Sequence, residues 1–322
     1  MTRLLNDVIQ AAQILRSGGT VAFPTETVFG LGARFDSLDA VAKIFTAKGR
    51  PTDNPLIVHC ATLEEMLPLC EEFTESARCV LMNFAPGPVT VVLRRSSLVP
   101  DQVSCGLSTV AMRIPDHLLA RQLIAAVGVP LVAPSANRSG RPSPTTWQAV
   151  WEDLENRIDG VLVGEPTRIG LESTVIDCSE SPPRLLRSGA VSAEELQRIL
   201  PDLVDKPPTA EQAKRSPGLR HRHYAPHAKV NLFNNLEEVT PSSQVARLWI
   251  ENSQIPQVSE TANNETSFGL DRRYVSVEQY AHDLFEALRQ ADRLGLQAVY
   301  CQRISTTGLG RALMDRLQRA SE

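Results

Sequence analysis

The first 200 residues alternate between short apolar runs and segments of helical periodicity, and this alternation constrains the fold more than any other feature. Runs such as 20–23 and 89–93 are rich in β-branched residues and predict buried strands. The amphipathic segment 38–48 follows Ser37, a good N-cap, and ends at Gly49, so it predicts a helix. Strands separated by helices form a twisted sheet covered by helices, and the closely spaced later strands indicate some antiparallel pairing. We therefore predict an α/β fold built on a twisted mixed sheet.

The same patterns place the remaining elements of this part of the chain. Further strands are predicted at 55–60, 109–114, 130–133, 161–163, 174–178 and 184–186. Further helices are predicted at 4–15 and near 62–72, 74–84, 116–127, 145–155 and 192–200.

A change of composition after residue 200 predicts a domain boundary. Five prolines between 201 and 226 interrupt regular structure, and residues 212–236 contain no acid but five Lys or Arg side chains. Beyond this stretch, strands at 229–233 and 298–301 and helices at 276–294 and 309–320 predict a smaller Rossmann-like α/β domain. We predict a catalytic domain over 1–204, a basic linker over 205–228 and an accessory domain over 229–322. No structure is predicted for the polar stretch 251–273.

The composition excludes several classes of protein. Hydrophobic residues make up 42% and charged residues 22%, which is typical of a globular chain. The net charge of −4 argues against a protein that coats nucleic acid. No run approaches the roughly 18 apolar residues of a membrane helix, and polar residues interrupt the N-terminal segment where a signal peptide is apolar. Six scattered cysteines without a CxxC pair indicate reduced thiols. We expect a cytoplasmic protein without a membrane segment.

The common nucleotide and hydrolase motifs are absent from the sequence, and small hydroxyl, amide and basic side chains follow the predicted strands instead. They lie at 24–27, 48–54, 134–143, 172–174 and 187–189. Ligands of open α/β sheets bind at strand ends, where Arg and Lys bind anions and Ser, Thr and Asn form hydrogen bonds. Each loop alone is equally compatible with a turn or a helix cap. Together they predict a site for a polyanion and a small polar molecule.

Seven strings in the first 191 residues resemble the threonylcarbamoyl-AMP synthase family with its YrdC-like domain. They are TVAFPTETVFGLGA (20–33), KGRPTDNPLIVH (48–59), APGPVTVVL (85–93), STVAMRIPDH (108–117), PLVAPSANRSGRPSPT (130–145), ESTVIDC (172–178) and LLRSGAV (185–191). SPGLRHRHYAPHAKV (216–230) resembles the linker of the longer, two-domain form, although Leu219 and His221 depart from the residues common there. LFEALRQADRLG (284–295) and GLGRALMDRL (308–317) resemble its accessory domain more weakly.

The resemblance implies an enzyme that condenses L-threonine, bicarbonate or CO2 and ATP into threonylcarbamoyl-AMP and pyrophosphate. The product would then pass to a separate transferase that modifies tRNA. By similarity, the threonine-binding residues would be Thr27, His59, Arg113, Ala133 and Ser173, with Arg113 on the carboxylate. The ATP-binding residues would be Lys48, Arg50, Asn54, Thr109, Ser135, Asn137, Ser143, Arg187 and Tyr224.

The resemblance also frames the expected chemistry. Lys48 and Arg50 would neutralise phosphate charge and thereby act as the catalytic residues. Mg2+ would accompany ATP, held mainly by phosphate oxygens and water, because the sequence offers no dedicated carboxylate pair. His59 has two possible roles, base toward the threonine amine or threonine ligand, and we favour the second. No protein metal site is predicted.

The basic linker admits several interpretations. The family's flap over ATP is one, and a solvated face or an RNA contact are others. His221, His223 and His227 have a spacing that a metal could use, but a loop interrupted by proline lacks the supporting residues of such a site. The competing function is an RNA-binding YrdC-like module without adenylation activity, which the 5% aromatic content does not favour. An enzyme using carbamoyl phosphate is a second alternative. Direct tRNA binding stays open.

Overall fold

Two units, each built on its own sheet, make up the structure. The computed structural model describes residues 1–218, 223–251 and 268–322. Unit 1 comprises Met1–Ser139 and Ser143–His221, and unit 2 comprises Gly140–Pro142 and Arg222–Glu322. The predicted flap residues Leu219 and His221 lie outside the described residues.

Unit 1 contains a ten-stranded mixed sheet, as the alternating pattern predicts. Its strands are β1 (Arg3–Leu5), β2 (Val21–Phe23), β3 (Gly30–Arg34), β4 (Ile57–His59), β5 (Val89–Arg94), β6 (Thr109–Arg113), β7 (Leu131–Val132), β8 (Gly160–Leu162), β9 (Thr174–Asp177) and β10 (Arg184–Arg187). Their order is β1-β8-β2-β3-β7-β4-β6-β5-β9-β10. β4 runs parallel to β6 and β5 parallel to β9, whereas β5–β6 and β9–β10 are antiparallel. The predicted antiparallel pairing of the later strands is confirmed.

The helices of unit 1 begin and end largely where capping residues predict. They are α1 (Val8–Arg16), α2 (Leu38–Lys48), α3 (Glu75–Phe84), α4 (Asp101–Ser104), α5 (Leu118–Val127), α6 (Trp147–Leu154), α7 (Ala193–Ile199) and α8 (Ala210–Ala213). The Ser37 side chain accepts a hydrogen bond from the amide of Ala40, and Gly49 ends α2 with a φ of 61°. A side chain would be strained there, so glycine suits this C-cap.

Two of the predicted elements in unit 1 are wrong in extent or type, and one strand is missed. The segment 62–72 forms only a 3-10 turn at Leu67–Leu69, because Pro68 lacks the amide that a helix would need. The predicted helix 4–15 starts late, at Val8, because Asp7 caps it and the preceding residues pair with β8. Strand β3 is missed because its glycines have low strand propensity. They are needed there, since a Cβ on Gly32 would lie 2.8 Å from the Phe23 ring.

Unit 2 contains a four-stranded parallel sheet with the order β11-β14-β12-β13. Its strands are β11 (Lys229–Phe233), β12 (Val245–Ile250), β13 (Leu270–Tyr274) and β14 (Ala298–Gln302), and its helices are α9 (Val277–Arg293) and α10 (Leu309–Ser321). This small α/β architecture confirms the predicted second domain type. Strand β13 lies inside the stretch for which no structure is predicted, and residues 252–267 of that stretch lie outside the described residues.

Over strands β4, β5, β6, β9 and β10, one face of the sheet in unit 1 is left to polar residues and a small apolar cluster, whereas over β2, β7 and β8 a second large apolar cluster covers the same face. Val58, Val91 and Met112 belong to the large apolar core on one side. Their neighbours Ile57 and Ala111 belong instead to a cluster of five residues, because successive side chains of a strand point to opposite faces. This small cluster (Ile57, Val92, Ala111, Val175 and Leu186) lines the face on which the candidate site lies.

No helix among the described residues is both long and apolar enough to span a membrane. All six cysteines are free thiols, of which Cys60, Cys70, Cys178 and Cys301 are buried.

Candidate active site

A row of polar side chains crosses the sheet of unit 1. His59, the last residue of β4, pairs with Arg113, the last residue of β6. Val91 of β5 pairs with Met112 of β6, so Thr90 and Arg113 are the next residues along this antiparallel register. Thr90 pairs with Val175, which in turn pairs with Arg187. Because side chains in one lateral row emerge on the same face, His59, Arg113 and Arg187 share the face of the small apolar cluster. The ladder between β9 and β10 shifts register between Leu185 and Arg187, so the consecutive residues Leu186 and Arg187 both lie on this face.

His59 is held as a neutral ring. Its Nδ1 lies 3.1 Å from the carbonyl oxygen of Ile57, and since a carbonyl only accepts, Nδ1 carries the proton. Burial, together with the nearby Arg113 charge, lowers the pKa of His59 to about 3. Its Nε2 is therefore a hydrogen-bond acceptor at neutral pH. A ring with so low a pKa is a weak base, which favours the ligand role over the base role.

Arg113 is buried and joined to the loop that follows β2. Its Nη1 donates to Thr27 Oγ1 at 3.1 Å, and its Nη2 donates to Glu26 Oε1 and to the carbonyl of Gly87. The side chains of Arg113 and Glu26 are 4% and 1% exposed. The loop itself is fixed, because the amides of Ile169 and Gly170 donate to the carbonyls of Glu26 and Thr27. Arg113 and Thr27, both predicted as threonine ligands, are thus brought into contact.

Glu26 is the residue that sequence reasoning missed. It lies in the PTET string at 24–27 between two threonines, and the resemblance assigned a role only to Thr27. The signal that points to it is charge, because a buried arginine needs an acidic partner and Glu26 is the only acid in that loop.

Ser173 and Arg187 form a second contact group. Ser173 Oγ lies 2.8 Å from Thr90 Oγ1, and Arg187 Nη2 lies 3.2 Å from Ser173 Oγ and donates to its carbonyl at 2.9 Å. Gly189 permits this close approach, because a Cβ there would lie 2.3 Å from the amide of Thr174. A predicted threonine ligand and a predicted ATP ligand are therefore neighbours.

Residues 215–217 of the linker lie against the same strands. Arg187 Nη1 donates to the carbonyl of Pro217 at 3.0 Å. Arg215 forms ion pairs with Asp177 and Glu180, both at 2.8 Å. The burial of the neighbouring Ser216 agrees with these contacts. Linker residues 215–217 thus pack against β9 and one of the predicted ATP ligands, Arg187 of β10.

Lys48 is buried against the loop that follows β7. Its Nζ donates to the carbonyls of Ser135 and Asn137, and Ser135 Oγ donates to Asn137 Oδ1. Gly49, in the left-handed conformation, ends α2 directly after Lys48, so Arg50 lies outside the helix. Three predicted ATP-binding residues are therefore in mutual contact.

The remaining predicted residues of unit 1 lie on adjoining segments. Arg50 donates to the carbonyls of Asn54 and Pro55, at 3.0 and 2.8 Å. Thr109 begins β6, and Ser143 Oγ donates to Glu172 Oε1. The amide of Ala133 donates to the carbonyl of Ile57. The backbone group that Ala133 offers to a ligand is therefore its carbonyl.

Tyr224, the last predicted ATP ligand, belongs to unit 2. Its ring stacks on Phe285 of α9 with centroids 5.2 Å apart, and the Arg316 guanidinium lies 5.7 Å from its centroid. Tyr224 is 3% exposed and has a φ of 66°, a strained value for an aromatic residue. Phe285 and Arg316 hold this conformation by packing.

The site is suited to anions more than to metal ions. Four cationic side chains, those of Lys48, Arg50, Arg113 and Arg187, are buried in unit 1. Among the described residues, no group of three or more His, Cys, Asp or Glu side chains is arranged to hold a metal ion. His221 of the histidine spacing discussed above falls outside them.

The state of His59 gives a testable pH dependence. The unfolded ring takes up a proton near pH 6.5, whereas the folded ring does not until about pH 3, so the free energy of unfolding falls as the pH falls. Between pH 7 and pH 5 this group alone costs about 2 kcal/mol of stability. We expect the free energy of unfolding of His59→Gln, measured with urea, to fall between pH 7 and pH 5 by about 2 kcal/mol less than that of the wild type. Two-bond 1H–15N spectra should show a neutral ring protonated at Nδ1 at pH 5.

The exposed His227 provides the matched control, and His227→Gln should retain the wild-type pH dependence. Equal losses in wild type and His59→Gln, or an imidazolium signal for His59 at pH 5, would contradict the assignment.

Comparison with known proteins places both units in one family. A family model described as telomere recombination, covering the Sua5, YciO and YrdC proteins, matches residues 13–189, and a model described as threonylcarbamoyl-AMP synthase, C-terminal domain, matches residues 191–322. The threonylcarbamoyl-AMP synthase of Pyrococcus abyssi is 40% identical, with 97% of this chain and 93% of that protein covered. That of Bacillus subtilis is 39% identical, with 98% and 92% covered.

A solved structure agrees with the fold of the whole chain. The crystal structure of P. abyssi Sua5 complexed with L-threonine has a TM-score of 0.88 and 37% identity, and the match covers 100% of this chain and 97% of that one. The two family models together span residues 13–322, and the relatives are of nearly equal length. The chain belongs to the threonylcarbamoyl-AMP synthase family, in its two-domain form.

Proposed function

We propose that this protein is an L-threonylcarbamoyladenylate synthase, which converts L-threonine, bicarbonate or CO2 and ATP into threonylcarbamoyl-AMP and pyrophosphate. The observation that carries the proposal is the full-length similarity to P. abyssi Sua5, whose crystal structure contains L-threonine. The names of the P. abyssi and B. subtilis relatives support the same product. The enzyme would work in the cytoplasm and pass its product to a separate transferase that modifies tRNA.

The threonine subsite would lie around the end of β6. The Arg113 guanidinium would bind the carboxylate of threonine, and Thr27, which already contacts Arg113, would line the same pocket. Neutral His59 would offer Nε2 as an acceptor to the substrate hydroxyl or amine. Ser173 Oγ and the Ala133 carbonyl would complete the set. These residues come from five segments that the sheet gathers on one face.

The ATP subsite would use the basic residues of the adjoining loops. Lys48, Arg50 and Arg187 would neutralise the phosphates. Lys48 now bonds to two loop carbonyls, so ATP binding would exchange one of these bonds for a phosphate oxygen. The remaining contacts would come from Asn54, Thr109, Ser135, Asn137, Ser143 and Tyr224.

The mechanism requires no covalent enzyme intermediate. The neutral threonine amine adds to the carbon of CO2 and releases one proton to the solvent, which gives the carbamate. A carbamate oxygen then bonds to the α-phosphorus of ATP while the bond from that phosphorus to the pyrophosphate oxygen breaks. The protein's role is to position the two substrates and to neutralise charge, and orientation of this kind is worth about 7–11 kcal/mol of barrier. Mg2+ bound to ATP would add charge neutralisation, held mainly by phosphate oxygens and water, since no described group of acids forms a site for it.

The direct test is identification of the product by mass spectrometry. Incubation with ATP, Mg2+, bicarbonate and an amino-acid mixture should yield the threonine-derived carbamoyl adenylate and release pyrophosphate. Omission of threonine or of bicarbonate should abolish both signals. Turnover indifferent to either substrate would refute the proposal. Salt-dependent tRNA binding without turnover would favour the RNA-binding module instead.

Substitution of Arg113 should change the KM for threonine without changing the KM for ATP. Arg113→Lys removes the planar fork that suits a carboxylate and leaves a point charge, so we expect the KM for threonine to rise about tenfold or more. The KM for ATP should stay within about threefold, because the residue is assigned to threonine alone. Arg94→Lys, at an exposed position on the neighbouring strand β5, is the control and should change neither value. Equal increases in both KM values would contradict the assignment.

The linker can be tested by deletion of residues 214–227. The described part of this segment contacts Arg187 and Asp177 on the site face, which supports a role as a flap over the nucleotide. We expect the deletion to abolish adenylate formation while the first unit still binds threonine, measured by calorimetry. Full activity after the deletion would instead identify the segment as a solvated surface.

A further inference from the structure

The buried ion pair between Glu26 and Arg113 is incomplete on both sides. Glu26 Oε1 accepts from Arg113 Nη2, but Glu26 Oε2 is buried and has no hydrogen-bond partner among the described residues. The same is true of Arg113 Nε. A buried carboxylate oxygen or guanidinium N–H without a partner is costly, and native structures seldom keep one without a function. The pair therefore has one unsatisfied acceptor and one unsatisfied donor at the centre of the candidate site.

A zwitterionic α-amino acid supplies the groups that would satisfy both atoms. Its carboxylate accepts from an arginine N–H, and its ammonium donates to a carboxylate oxygen. The ion pair and the zwitterion are each neutral overall, so their association buries no net charge. We propose that Glu26 is a substrate-binding residue whose Oε2 receives the α-ammonium of the amino acid held by Arg113. This assignment rests on the proposed function.

The other groups near Arg113 do not offer the same interaction. His59 is neutral, and Thr27, Ser173 and the Ala133 carbonyl carry no charge. Two further carboxylates are buried on neighbouring segments, but Glu172 accepts from Ser143, and Asp177 is paired with Arg215. Glu26 is thus the carboxylate that directly contacts the predicted carboxylate-binding arginine, and it adds a specificity element for amino acids over hydroxy acids.

A comparison of two ligands tests this proposal. (R)-3-Hydroxybutyrate is L-threonine without its amino group, so it retains the carboxylate and the hydroxyl. In Glu26→Gln, an amide that also carries N–H donors replaces the carboxylate. We expect the Kd of L-threonine to rise at least tenfold and the Ki of (R)-3-hydroxybutyrate, measured by competition, to change less than threefold. The preference of the wild type for threonine should therefore fall by a similar factor.

The control is Glu165→Gln, the same change at an exposed position of the same unit, which should leave both constants unaltered. If Glu26 acts only by holding Arg113 in place, both ligands will weaken by the same factor, and this result, or no change in either, overturns the proposal. If the Gln variant does not fold, Glu26→Asp gives the same test, because its shorter carboxylate should weaken threonine more than the hydroxy acid. Equal weakening of both ligands by that variant likewise overturns it.

Threonine binding and adenylate formation by the wild-type protein distinguish a failure of the proposed function from a failure of the role of Glu26. A preparation that neither binds threonine nor forms the adenylate refutes the proposed function itself. A preparation that does both, but whose ligand preference is insensitive to substitution of Glu26, refutes only the role of Glu26.

Discussion

The candidate site depends on one buried guanidinium, that of Arg113. A charge at this depth is stable only where neighbouring groups neutralise and hydrogen-bond it. The loop after β2 supplies Glu26 and Thr27, and the segment before β5 supplies the Gly87 carbonyl. The hydrogen bonds and the ion pair that Arg113 needs thus hold the loop after β2 in place. The same charge acts on His59 and helps to keep that ring neutral.

The mixed sheet decides which residues meet. β4 and β6 are parallel and adjacent although about 50 residues separate them in the chain, and this pairing brings His59 beside Arg113. The antiparallel β9–β10 pair brings Arg187 to the same row. One face of these strands packs into the large core, whereas the other carries only a small apolar cluster and the polar row. The polar face therefore carries the candidate substrate-binding residues, and linker residues 215–217 contact it.

Local signals in the sequence predict much of the fold, and their failures have physical causes. The bounds of α2 are predicted closely because Ser37 and Gly49 are strong caps. The segment 62–72 has helical periodicity, but Pro68 outweighs it. Strand β3 escapes prediction because its glycines serve packing against Phe23 rather than strand propensity. Strand β13 escapes it because three exposed polar residues, 271–273, separate its two buried ends.

The sequence by itself determined the α/β class, the division into a large and a small domain type, the family and the kinds of residue at the strand ends. These properties depend on periodicity, capping and short motifs, which are local along the chain. Only the tertiary structure decided that Glu26 pairs with Arg113, that His59 is neutral with its proton on Nδ1, and that Lys48 bonds to the loop at 135–137. Burial and long-range pairing control each of these, because the charge state and the partners of a side chain depend on groups that the fold, not the order of residues, places beside it.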